Sequence, residues 1–161
     1  MKRSTGKVIR RIIAAAGIAV MLASMAGCGG SGANVNAQEL ADELKSGIAY
    51  KDDLSPIDLD TAAMFYSFGD TDITEAVFYE SSGATAEEIA VIKCGSEADA
   101  GKAEDVLRTR VSEQIESYKD YVPAELEKLN AAVVYRKGSC AVLSVSDEPD
   151  KAREIITSHL K

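Results

Sequence analysis

The chain changes chemical character once, at Cys28, and that discontinuity decides which residues are available to fold. Before it, Lys2, Arg3, Lys7, Arg10 and Arg11 make a basic start without an acid, and Ile12 to Ala23 make an apolar run. The small-residue stretch Ser24-Met25-Ala26-Gly27 then leads to Cys28. A basic region, a short apolar region and small residues before a cut are the parts of a secretory signal, which contributes nothing to a globular core. After Cys28 the remaining 13 basic side chains face all 26 acids, a balance near −13. So acidic a surface repels nucleic acid and anionic headgroups, and no nucleic-acid partner is expected.

From Ile12 to Gly27 there are 16 uncharged residues, several of them Ala, Gly or Ser. That is short for a span, which needs about 20 apolar residues, and a retained transmembrane anchor is the lesser alternative. Met25-Ala26-Gly27-Cys28 resembles the bacterial lipobox, with Met25 where Leu is usual. The resemblance implies cleavage between Gly27 and Cys28 and a covalent diacylglycerol lipid on the Cys28 sulfur. Two acyl chains on one residue meet the condition for stable anchoring, since a single chain holds only marginally. The other reading is an ordinary signal peptide with an incidental cysteine. The expected partner is therefore a membrane, reached through the lipid, and the expected location is extracytoplasmic, on the outer face of the cell membrane. Residues 1–27 would be removed, 28–36 would be the lipidated cysteine and a Gly/Ser-rich tether spanning roughly 15 Å, and 37–161 would be one acidic domain.

Hydrophobic residues at 46% and charged residues at 27% give that domain the balance of a globular chain, large enough for one core. Leu40, Ala41, Leu44 and Ile48 make a helical stripe over 37–48, and the acid-rich loop before Ala62-Ala63-Met64-Phe65 can cap a second helix over 60–65. β-rich runs over 75–80 and 88–94, separated by Ser81-Ser82-Gly83, predict an antiparallel hairpin. Leu107, Val111, Ile115, Tyr118 and Val122 share one face of a helix over 97–121, which Pro123 closes, and a short helical piece follows over 124–129. Runs over 131–136 and 140–145 around Lys137-Gly138-Ser139 predict a second hairpin. A last helix begins near Asp147-Glu148-Pro149 and carries Ala152, Ile155, Ile156 and Leu160 inward. The fold class is α+β in the order α-α-β-β-α-β-β-α: a four-stranded, largely antiparallel sheet with helices packed on one face.

Three blocks of this domain, Leu59 to Tyr66, Ser81 to Ile92 and Val142 to Asp147, resemble the lipoproteins of Gram-positive bacteria that carry the domain of unknown function DUF4358. The resemblance runs from about Ala37 to the end. It implies an exported, often lipidated domain and assigns no catalytic or binding residue.

The side chains that carry chemistry are few. His159 is the one histidine and sits near the chain end, a poor place for the rigid base of a Ser-His-acid triad. Ser81-Ser82-Gly83 lacks the form of a nucleophile elbow. Cys94 and Cys140 lie at strand ends, and two readings stay open: a disulfide, which an exported location permits, or two buried thiols. They make no zinc site without a second pair or a nearby histidine, and no metal or other cofactor is expected. The acids Asp52, Asp53, Asp58, Asp60, Asp70, Asp72, Asp147, Glu148 and Asp150 fit helix caps and solvated loops better than a calcium loop. The chain is expected to be a non-catalytic cell-envelope module that binds an envelope protein or wall ligand. The alternative is a small carboxylate-dependent cell-wall hydrolase. A groove holding two perturbed acids would favour the enzyme, and a shallow exposed apolar patch would favour binding.

Overall fold

The computed structural model describes residues 35–161. The signal segment, the cut after Gly27 and the lipidation at Cys28 lie outside the described residues.

Five strands form one sheet: β1 (Ser55–Ile57), β2 (Ile73–Glu80), β3 (Glu88–Cys94), β4 (Val133–Lys137) and β5 (Cys140–Val145), in the antiparallel order β1-β2-β3-β5-β4. The expected four strands thus become five. Ser55-Pro56-Ile57 escapes a reading by periodicity because it is three residues long, and its proline suits an edge position, where one side of the strand needs no partner. The helices are α1 (Ala37–Gly47), α2 (Leu59–Ala62), α3 (Glu97–Tyr118), α4 (Leu126–Asn130) and α5 (Pro149–His159), with a 3₁₀ turn over Pro123–Glu125. Local chemistry accounts for their starts. Asn36 caps α1 through the Glu39 N–H, Asp58 caps α2 through the Thr61 N–H, and Ser96 caps α3 through the Asp99 N–H. Val35 is buried beside Asn36, so the packing includes the two residues before Ala37.

The second correction concerns layering. α1 and α5 cover one sheet face, over Tyr79, Ile89, Val91, Val133, Cys140 and Val142. α2, α3 and α4 cover the other, over Phe78, Ala90, Ile92, Ala141, Leu143 and Val145. The helices are therefore on both faces, not one. Central strands β3 and β5 are apolar almost without interruption because neither of their faces meets water, the pattern of a sheet sandwiched between helices. The sheet-facing side of α3 is also turned from the expected stripe. Ala100, Ala103, Leu107 and Gln114 are buried, while Val111 and Ile115 stand at the edge.

Candidate functional site

The β2–β3 register places Glu80 directly opposite Glu88. On one face of an antiparallel pair such residues are about 5 Å apart at Cβ, and two like charges there repel. Both point to the face covered by α3, whose Arg110 supplies the opposing charge. Its Nη2 lies 2.9 Å from Glu88 Oε2 and 3.4 Å from Glu80 Oε2, and its Nε donates to Glu88 at 3.1 Å. Gln114, one turn along α3, donates its amide to Glu88, as does the Tyr66 hydroxyl. Glu88 is fully buried, Tyr66 nearly so, and the Arg110 and Glu80 side chains are 16% and 15% exposed. Burial first, and then the charge on Glu88, push the Glu80 carboxyl up to about 8 against the pull of Arg110. Burial likewise drives the Tyr66 hydroxyl well above its usual range, so it stays a donor.

A second buried ion cluster pins the seven-residue connection 81–87. Glu87 accepts from the backbone N–H groups of Lys51 and Asp52 at 2.9 Å each and from Lys128 Nζ at 2.9 Å. Lys128, its side chain 2% exposed, also reaches Glu125 at 3.0 Å, and Glu125 accepts the Ala86 N–H. The Tyr118 hydroxyl donates to the Thr85 carbonyl at 2.6 Å, and Gly83 turns the chain at φ +91°. A connection of this composition would otherwise be mobile; here its backbone is held from three elements.

The Arg110 guanidinium joins the first cluster to two aromatic rings. Its carbon sits 5.4 Å from the buried Tyr66 ring and 5.3 Å from the ring of Phe65, which is 43% exposed. Phe65 edges a recess of about 140 Å³ whose other walls include Val106, Asp105, Thr109 and Glu113 of α3. Met64 beside it is 74% exposed and Leu59 is 40% exposed. Three of the four most exposed large apolar side chains among the described residues thus fall within 59–65. This exposed apolar stretch, called the ledge below, meets the ion cluster where the Phe65 ring faces Arg110.

The residues singled out from sequence distribute differently. Cys94 and Cys140 are free thiols, and the expected option of a disulfide is not realised. Cys140 lies opposite Lys93, one residue short of Cys94, and neighbouring residues on a strand point to opposite faces. Cys94 accordingly packs under α3 and Cys140 under α1 and α5. Burial raises their thiols to about 11 and about 12. The loop acids do serve as caps and ties: Asp52 accepts from Ser82, Asp147 pairs with Lys51, and the Glu148 carboxylate accepts the Ala49 N–H. His159 meets Glu43 at 2.7 Å and joins α5 to α1. Glu80, Glu87, Glu88 and Glu125 were not singled out at all. The signal for Glu80 and Glu88 was present, since a hairpin of strands ending at 80 and starting at 88 sets those two acids side by side.

The family model for the domain of unknown function DUF4358 matches residues 48–146. The chain belongs to the DUF4358 family. No curated protein and no solved structure matches it. The DUF4358 portion holds all five strands and α2, α3 and α4, and therefore the ledge and both ion clusters. Helices α1 and α5, which cover the opposite sheet face, flank it.

Proposed function

We propose that this DUF4358 protein is a lipid-anchored, extracytoplasmic module of the bacterial cell envelope that binds a partner and does not catalyse. The observation that carries the reading is the ledge of Leu59, Met64 and Phe65, apolar and open to solvent on a domain otherwise coated with charge. Exposing such side chains costs solubility without adding to the core, so a contact surface is the physical use for them. A wall hydrolase working through Glu80 and Glu88 has less support. Arg110, Tyr66 and Gln114 occupy their oxygens, and Glu88 has no exposed surface to offer a substrate. The anchoring half of the proposal rests on the signal-like segment and on Cys28 after Met25-Ala26-Gly27.

Two arms of one experiment test both halves. Cys28→Ala is expected to move the protein from the membrane fraction to the medium, or to leave it uncleaved. A photo-crosslinking residue at Met64, in cells carrying the otherwise native chain, is expected to capture a discrete partner that the same residue at Glu154 on α5 does not capture. Membrane retention of the Ala variant would overturn the anchor. Identical adducts from both positions, or none, would overturn the binding surface.

A further inference from the structure

We infer that the ledge docks a cationic segment of a partner protein, one that sets an aliphatic or aromatic side chain into the recess beside Phe65 and a Lys or Arg against Asp105 and Glu113. This rests on the reading of the domain as a binding module and names the partner's chemistry. The recess has apolar walls in Phe65 and Val106 and holds about 140 Å³, room for one side chain and not for a drug-sized ligand. Its charges decide the rest. Asp105 and Glu113 line it from exposed positions on α3, and Asp58 and Asp60 flank Leu59 on the ledge. Arg110 is the one cation lining the recess, and the buried Glu88 carboxylate already holds its guanidinium. Asp58 spends one oxygen on its helix cap, whereas no residue forms a salt bridge with Asp105, Glu113 or Asp60 among the described residues. The field over the ledge is therefore negative, like that of the whole acidic domain, and it attracts cations while repelling an acidic chain.

A bilayer is the competing occupant, and the layout disfavours it. Val35, at the start of the described chain, and α1 after it pack on the sheet face opposite α2 and α3. The same four acids would meet anionic headgroups with repulsion. A protein segment bearing both an apolar anchor and a cation satisfies the recess and its rim together.

The test uses the full chain isolated from its host, with a photo-crosslinking residue at Met64 or, separately, at Glu154. The probes are synthetic peptides of alternating Lys and Leu, alternating Glu and Leu, and alternating Lys and Ser. The Lys/Leu peptide is expected to crosslink from position 64 and not from 154. Asp105→Asn with Glu113→Gln, both on exposed positions that leave the core untouched, is expected to weaken the adduct about fivefold, as added salt should. Equal capture of the Glu/Leu peptide, equal capture of the Lys/Ser peptide, or equal yields from the two positions would overturn the inference. So would loss of the adduct to phosphatidylcholine vesicles that themselves crosslink at position 64. If crosslinking in cells finds a partner at position 64 whose contacting segment is acidic, this inference falls and the binding module stands. If it finds no partner there, the binding module falls as well.

Discussion

Glu80 and Glu88 occupy facing positions because the strand register leaves them no choice, and the surrounding residues settle how their charges are borne. Glu80 keeps its proton to about 8, against an ordinary value of 4.5. The folded chain then retains a proton that the unfolded chain has lost, so this residue withdraws stability as pH rises from about 4.5 to about 8 and has no further effect above that. Glu80→Gln is expected to remove that decline. Urea unfolding of the two proteins across this pH window should show the Gln variant gaining on the wild type by a few kcal/mol at most, and no pH-dependent difference would contradict the assignment. Asp52, Asp58 and Asp99, held low by hydrogen bonds, act in the opposite direction and are common to both proteins. The second cluster gives a larger effect. Lys128→Met strands Glu87 and Glu125 in the interior without their cation, and a loss of about 3–5 kcal/mol is expected in the same assay. A shift near zero would mean that the network is not formed. The long-range ion pairs were not legible in sequence, because Arg110 lies 22 residues from Glu88 and Lys128 lies 41 from Glu87. Acids at strand ends read as solvated until their distant cations are known.

Elements were easier to read than their neighbours. β3 and β5 stand where the β-rich runs place them, and α1, α3 and α5 begin where caps, proline and periodicity put them. The stripe on α3 misled for a physical reason: the helix turns Arg110 and Gln114 toward the sheet to reach Glu88, which pushes Val111 and Ile115 to the edge. The continuous runs Ile89-Ala90-Val91-Ile92 and Ala141-Val142-Leu143 carried the sign of a sheet covered on both faces, since a strand with one wet face alternates. That covering also separates Cys94 from Cys140. Both thiols are expected to stay unreactive toward Ellman's reagent in the folded protein and to react together in strong denaturant. An intact mass two hydrogens lower than the dithiol form would contradict this placement.

At the scale of the whole molecule, the two sheet faces differ in what they carry. The face under α1 and α5 closes the core and lies next to residue 35, where the described chain begins; the face under α2 and α3 carries the Arg110 ion cluster and the ledge. The ledge was only half legible. The sequence predicts a helix over 60–65 inside a family block over 59–66, but α2 ends at Ala62, and which of Leu59, Met64 and Phe65 remain exposed follows only from the fold. In the proposed function this ledge faces the cell exterior and is covered there by a partner. Labelling Met64→Cys and Glu154→Cys with a membrane-impermeant maleimide measures this directly, because the native Cys94 and Cys140 are buried. Both cysteines are expected to label on intact cells, Glu154→Cys at the rate of the purified protein and Met64→Cys several-fold more slowly. Failure of both to label on intact cells, or an equal rate for Met64→Cys on cells and on purified protein, would contradict it.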